Sequence, residues 1–309
     1  MSLHVIVGAG PVGSTVARLL AARGEQVRIV TRSGAGPDGP GVERVTADAS
    51  QALTMRDLTE GATAIYNCAN VAFHRWPADW APLSRALLHA AESSGAVLAM
   101  TSDLHVYGPV NGRMTESTPM RPTSTKGAVR ARTWRDALEA HRTGRIRATE
   151  VRSSDHVGAG VDSLLTQVVV PKVLAGERVV APANFEVPHS WTYVGDVART
   201  LVTVATEERA WGRPWHVPSP PPASIREVAN RVAELAGAPS PQLSSVSPIR
   251  MWFGSLLNPI VRAQRETAYQ FRQPFVIDSS ATTNTFGIQP TPLDDALRET
   301  IEAVTASPR

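Results

Sequence analysis

The 309-residue chain predicts an α/β fold, a doubly wound parallel sheet with a smaller C-terminal lobe, on three observations. A short apolar run, Leu3 to Val7, leads into a glycine-rich turn that opens a helix. Strand and helix signals then alternate to about residue 155, as in a parallel sheet covered by helices. Past that point the alternation gives way to a Pro-, Trp- and His-rich stretch.

The turn reads Gly8-Ala-Gly10-Pro11-Val12-Gly13 and the helix signal continues from Ser14 to Arg23. Gly8 permits a tight turn, Gly10 lets the backbone approach a pyrophosphate, and Gly13 lets helix and strand pack closely. Pro11 has φ pre-set for the first helical position, and Gly24 closes the helix before a second strand near 27–31. This is the phosphate-binding turn of a Rossmann-type dinucleotide fold. An NAD site places an acid on the ribose about 20 residues on, but the second strand ends Val30-Thr31-Arg32 with no carboxylate. The planar donor fork of Arg32 suits a 2′-phosphate, so NADP(H) is favoured over NAD(H), with Thr31 and Arg32 at the ribose. An ordinary solvated loop arginine is the alternative. Asp48, after the short third strand, either meets the adenine or caps the following segment.

Further strands are expected near 43–46, 63–67, 96–101 and 146–152, with helices near 11–23, 78–94 and 127–142. A helix signal follows at Leu164 to Leu174, then another beginning at Asp196, and a late strand, Trp215-His-Val, rejoins the sheet. Pro218 to Pro222 stiffens the connection into a helix with capping-box spacing, Ser224 to Glu227, an apolar stripe and a terminal Gly237. The tail after Pro239 reads as irregular and carries Trp252, Phe253, Tyr269 and Phe271. The expected division is a dinucleotide domain over 1–155, joined by 190–218, and a substrate lobe from 156–189 and 219–309.

With 42% hydrophobic residues the chain can bury one large core and an appended lobe. No secretory signal or long apolar run appears, so a cytoplasmic protein without a membrane partner is expected. A single cysteine, Cys68, excludes an internal disulfide, and no His/Asp/Glu grouping has metal-ligand spacing, so no metal is expected. The pI is near 9.4. Yet the formal charge is only +3 and arginines alternate with acids, leaving no basic patch for nucleic acid. Lys126 and Lys172 are the only lysines. The expected partner is a small-molecule substrate, and a homodimer is an allowed assembly.

Together, Gly8 to Gly13, Tyr66-Asn67-Cys68-Ala69, Val106-Tyr107-Gly108, Arg152-Ser-Ser-Asp155 with Gly158, and His189 to Asp196 resemble the extended short-chain dehydrogenase/reductase superfamily, the NAD-dependent epimerase/dehydratase family. The resemblance covers essentially the whole chain. It implies a nicotinamide cofactor, with Cys68, Ala69 and Asn70 beside it, and a Tyr-x-x-x-Lys pair for proton exchange with a substrate hydroxyl or carbonyl. Here the chain departs. Tyr66, Tyr107, Tyr193 and Tyr269 are followed four residues later by Asn70, Asn111, Val197 and Gln273. After Pro119-Met-Arg-Pro122, Lys126 and Arg130 stand where the pair is expected. Two roles for Lys126 stay open: a proton donor whose pKa is pushed down by neighbouring positive charge, or a charged contact to the cofactor ribose.

Other candidates crowd the fifth strand's end. Thr101 or Ser102 can hydrogen-bond a substrate carbonyl, Asp103 can accept a proton, and His105 or Tyr107 can donate one. In this superfamily the tyrosine of the Val-Tyr-Gly turn is more often structural. His74 and Trp76 can line a pocket for a flat or cyclic substrate on the loop after the fourth strand, where such sheets bind ligands. Trp80 instead serves equally well to pack that loop. Asp155, His189 and Trp191 are expected to face substrate, whereas Asp196 is expected to cap the next helix. The functional expectation is an atypical, NADP(H)-dependent reductase of a carbonyl in a small cyclic metabolite. A non-redox isomerase, dehydratase or cyclase on the same fold, or a non-catalytic nucleotide sensor, are the alternatives.

Overall fold

The computed structural model describes residues 1–71, 75–246 and 265–306. Its centre is a sheet of β1 (Leu3–Val7), β2 (Gln26–Thr31), β3 (Val42–Thr46), β4 (Ala62–Asn67), β5 (Val97–Asp103), β7 (Arg147–Ser153) and β11 (Pro214–His216). All seven strands run parallel in the order β11-β7-β5-β4-β1-β2-β3. The central strands are nearly continuous apolar runs because both faces are covered, and Val5, Ile6, Ala64, Ile65, Leu98 and Ala99 are buried. Helices α1 (Pro11–Ala22) and α6 (Val194–Thr206) cover one face, with Val16, Leu20, Val197 and Leu201 in its core. The other face carries α2 (Ala52–Leu58), α3 (Trp76–Ser94) and α4 (Thr125–Arg142), whose Met55, Leu83, Leu87, Trp134 and Ala137 pack together.

A second core lies beyond the sheet. It joins the short α5 (Val170–Leu174), α7 (Ile225–Ala236) and the final helix through Val170, Val173, Val228, Val232, Ala296 and Leu297, with Trp191 and Phe185. Three two-stranded pairings tie this region down: β8 (Asp155–Val157) with β10 (Trp191–Tyr193), β9 (Val179–Ala181) with β12 (Leu243–Ser245), and β6 (Arg113–Met114) with β13 (Val276–Ile277). The expected capping box is present: Ser224 accepts from Glu227 N–H while Glu227 accepts from Ser224 N–H, and Gly237 ends α7 in the left-handed region.

Two expectations need correction. The helix expected to start at Asp196 starts at Val194, and Asp196 is a fully buried residue of its first turn rather than a cap. Its carboxylate accepts from Thr291 N–H at 2.7 Å and Thr291 O–H at 2.8 Å, with Arg199 alongside, so it pins α6 to the loop before the last helix. Burial still raises this carboxyl above its ordinary range. The tail is not irregular either: α8 (Ser280–Phe286) and α9 (Leu293–Ala306) occupy it. Leu293, Ala296, Leu297, Ile301 and Val304 recur at three- and four-residue spacing and pack on the second core. Trp252 and Phe253 lie outside the described residues. Among the described residues no helix is long and apolar enough to cross a membrane, and no group of three or more His, Cys, Asp or Glu is placed to hold a metal.

Candidate active site

The glycine turn is built around close backbone approach. Gly8 has φ +96°, and a Cβ there would come within 2.8 Å of both Ala69 Cα and Cys68 O. A Cβ on Gly13 would meet Gly8 O at 2.0 Å, so α1 lies against β1 only because this residue has no side chain. Gly10 faces open space, with nothing within 4 Å of its Cβ direction. Pro11 and Val12 start α1, which has no side-chain cap, so its first N–H groups remain for an anion. Cys68 is buried beneath the turn, its thiol pushed up to about 12 by burial, while Ala69 is half-buried and Asn70 exposed. Along the cradle, Thr31 donates its hydroxyl to Ala35 O at 3.1 Å and Arg32 is exposed. Asp48 does not cap α2, whose N-cap is Gln51. It accepts instead from Ser50 N–H and O–H, which hold its carboxyl below the ordinary range, helped by the charge of Arg32. The residues present fit a dinucleotide: an open glycine, an uncapped helix start and a strand end free of acid.

The ends of β5 and β8 and the start of α4 converge beside this cradle. Thr101 donates to Asn67 O at 3.0 Å, linking β5 to β4. Ser102 is buried, its hydroxyl without a hydrogen-bond partner among the described residues. Asp103 is half-buried and its Oδ1 accepts from His105 N–H at 3.0 Å. Ser124 caps α4 by accepting from Gly127 N–H at 3.1 Å, which sets Lys126 in the helix's first turn. Gly127 lets that turn press on the strand end, because a Cβ there would meet His105 O at 2.3 Å. Lys126 is only 3% exposed. Burial lowers its pKa to about 7, against the opposing charges of Glu266 and Asp103. One helical turn on, Arg130 donates from Nη1 to Thr101 O at 2.9 Å, and its Nε stands 3.5 Å from Asp103 Oδ2.

Facing this group, His189 Nε2 lies 2.8 Å from Asp155 Oδ2 and its Nδ1 lies 3.1 Å from Gln270 O. Both ring nitrogens thus face oxygens, which fixes the orientation of the imidazole. Burial acts to raise Asp155, but the hydrogen bond and charge of His189, with His105 and His156, outweigh it and hold the carboxyl below its ordinary range. Phe271 and Phe275 stack on the His189 ring at 5.1 and 5.3 Å. His105 Nδ1 is 3.3 Å from Tyr269 Oη. His156, its pKa lowered by burial, is 2.7 Å from Ser153 Oγ through Nε2.

Of the expected residues, Asp103, His105, Lys126, Asp155 and His189 come together here, and Ser102 lies in the sheet beneath them. Tyr107 does not join them. It is buried with its hydroxyl 2.6 Å from His216 Nε2 and 2.8 Å from Arg152 Nη1. Trp76 is 5% exposed, donates to Val71 O at 2.7 Å and packs on Trp80, so both indoles hold the loop after β4. Trp191 is buried and donates to Ala223 O at 2.9 Å, a core residue behind His189. His74 lies outside the described residues. Glu266 and His156 went unnoticed in sequence, and Tyr269 stood out only as an aromatic of the tail. Asp155-His156 adjacency could have flagged one of them; the others arrive from more than a hundred residues away.

The sequence profile of the NAD dependent epimerase/dehydratase family matches residues 4–217. No curated protein sequence matches the chain. Among solved structures, MoeE5 in complex with UDP-glucose and NAD is similar at 20% identity and TM-score 0.81, over 99% of both chains. The Streptomyces venezuelae dTDP-glucose 4,6-dehydratase DesIV, as a double mutant with NAD bound, is similar at 20% identity and TM-score 0.80, over 99% of this chain and 97% of that one. The Thermus thermophilus UDP-glucose 4-epimerase complex with NAD is similar at 19% identity and TM-score 0.79, over 99% of both. At these identities the structures speak for the fold, whereas the profile spans more than half of the sequence: the chain belongs to the NAD-dependent epimerase/dehydratase family.

Proposed function

We propose that this protein is an NADP(H)-dependent reductase of a carbonyl group in a small cyclic substrate, with Lys126 carrying the proton. The observation behind this reading is the placement of Lys126, buried in the first turn of α4 where that helix meets Asp103 and the C-terminal end of β5, and burial lowers its pKa to about 7. An ordinary lysine near 10.4 is a poor acid at neutral pH, whereas one near 7 exchanges its proton readily. Gly8, Gly10, Gly13 and the first turn of α1 would hold the pyrophosphate, and Arg32 the 2′-phosphate. A nicotinamide held there would supply the hydride.

The chain's own residues then do the rest. The Lys126 ammonium donates its proton to the carbonyl oxygen as that oxygen gains charge, leaving a neutral amine. Asp103 stabilises the ammonium beforehand and is itself held by His105 N–H and Arg130. His105, Tyr269 and Phe275 pack on one another at ring-centroid separations of 6.0 to 6.2 Å, an aromatic wall beside Asp103 that favours a flat or cyclic substrate.

A carbonyl substrate found by screening should consume NADPH stoichiometrically, and deuteride from labelled cofactor should appear on the product carbon. Turnover without net cofactor loss or label in product would overturn the reductase reading. The epimerase and dehydratase names of the similar structures favour that second reading, in which a transient oxidation is reversed on the same site. Lys126→Met should leave cofactor binding nearly intact and lower turnover by about a hundredfold or more, the scale of a lost general acid. Weakened binding with turnover recovered at saturating cofactor would make Lys126 a cofactor anchor instead.

A further inference from the structure

The segment 265–271 crosses the whole site and fastens at successive points. Glu266 Oε2 accepts from Thr125 N–H at 2.8 Å and Oε1 from Thr125 O–H at 3.3 Å, at the first residue of α4 and immediately before Lys126. Tyr269 meets His105, Gln270 O meets His189, and Phe271 stacks on His189 while its carbonyl accepts from Asn184 N–H at 2.8 Å. Only the first of these anchors brings a charge to the lysine's end of the site.

Lys126 sits in an awkward place for a cation. It is buried, and it stands in the first turn of a helix, where the unsatisfied N–H groups and the helix dipole already present positive charge. Arg130 adds another cation one turn further along. Among the described residues, two carboxylates answer these: Asp103 from the end of β5 and Glu266 from the crossing segment, while His105 flanks them from the turn after β5. Asp103 is shared with Arg130, whereas Glu266 is directed at the helix start itself.

We infer that Glu266 is a positioning residue: the segment 265–271 lays its carboxylate on the first turn of α4 and thereby keeps Lys126 protonated for its proton transfer. This rests on the reading of Lys126 as the proton carrier. Without Glu266 the same burial and the same helix end would leave a smaller share of Lys126 as the ammonium at neutral pH, and so less of the proton-giving form.

Because the chain has two lysines, 13C-lysine labelling yields two resolvable side-chain signals, and the exposed Lys172, paired with Glu177, serves as the internal control. The 13Cε shift of Lys126 is followed against pH in the cofactor-free protein, so no substrate is needed. Glu266→Gln keeps an acceptor for Thr125 but removes the charge. It should lower the Lys126 midpoint by about one pH unit, the smaller end of the effect of a neighbouring opposite charge. Glu266→Asp should restore most of the difference, and Lys172 should not move in either variant. A Lys126 midpoint unchanged in Glu266→Gln would overturn the inference and leave Glu266 as a helix cap alone. A Lys126 midpoint near the ordinary lysine value in the unaltered protein would instead overturn the proposed role of Lys126.

Discussion

The guanidinium carbon of Arg130 lies 4.0 Å from the centroid of the Trp80 ring, and 4.6 Å from that of Trp76. One cation therefore joins three parts of the site: the indoles that hold the loop after β4, the Thr101 carbonyl, and Asp103. Its planar head stacks on the rings while its edge donates outward, a combination lysine cannot reproduce. Arg130→Lys should thus behave as a loss. In a double-mutant cycle of Arg130→Met with Trp80→Leu, followed by urea unfolding, the coupling should be about 1–2 kcal/mol, as for a desolvated cation–π pair. Strict additivity would show the stacking to be incidental.

A second prediction concerns acid. His216 Nδ1 lies 2.8 Å from the Asp278 carbonyl, which can only accept, so that nitrogen carries the proton. Burial lowers the ring's pKa to about 4, so Nε2 is bare and accepts from Tyr107, whose oxygen accepts in turn from Arg152. An unfolded imidazole takes a proton near 6.5, before the native ring does. The stability from the neutral ring is therefore complete above 6.5 and is lost as pH falls from 6.5 towards 4. Melting temperature should drop across that window, and His216→Gln should flatten the drop. His4 and His156, also lowered by burial, add in the same direction, so some slope should remain. An unaltered slope in the variant would dismiss the relay as a stability element.

The proposed preference for NADPH rests on the end of the second strand. Arg32 is exposed at the end of β2, and the charge of Asp48 is close enough to respond to it. NADPH should bind more tightly than NADH, and Arg32→Ala should weaken NADPH roughly tenfold or more, the worth of a charge-assisted hydrogen bond, while sparing NADH. Equal affinities that ignore the substitution would return Arg32 to the solvent.

Legibility in the sequence tracked the range of the interaction. The strand–glycine–helix opening and the Ser224/Glu227 cap are local, and both appear where the residues place them. Lys126 and Arg130 were singled out by the resemblance, as standing where the family's pair is expected, whereas the Arg130 contacts with Thr101 and Asp103 appear only in the fold. Asp196 misled because an acid near a helix start resembles a cap, whereas its partner, Thr291, lies 95 residues away. The helix at Leu293–Ala306 was masked by the surrounding prolines and glycine, although its apolar spacing is helical. Glu266 and Tyr269 could not be assigned, because nothing in their own neighbourhood reveals that α4 and His105 are what they touch.

The glycine turn permits a sharper test, since Gly10 and Gly13 are kept free of side chains for different reasons. At Gly13 the obstacle is internal: a Cβ would stand 2.0 Å from Gly8 O, a backbone atom that cannot swing aside. Gly13→Ala should force α1 away from β1 and destabilise the protein by about 1–3 kcal/mol, as overpacking does, with or without cofactor. At Gly10 the backbone is extended, φ −68° and ψ −176°, a conformation alanine adopts freely, and the space beyond is empty of protein. Gly10→Ala should therefore unfold within about 0.5 kcal/mol of the unaltered chain, the range of a surface change. Its cofactor affinity should nevertheless fall at least about tenfold, because the methyl occupies the approach of the pyrophosphate to the backbone. Thermal unfolding without ligand, beside fluorescence titration with NADPH, separates the two. A Gly10→Ala protein that binds NADPH normally would mean that the dinucleotide does not lie on this turn, and the cofactor reading of the cradle would fall with it.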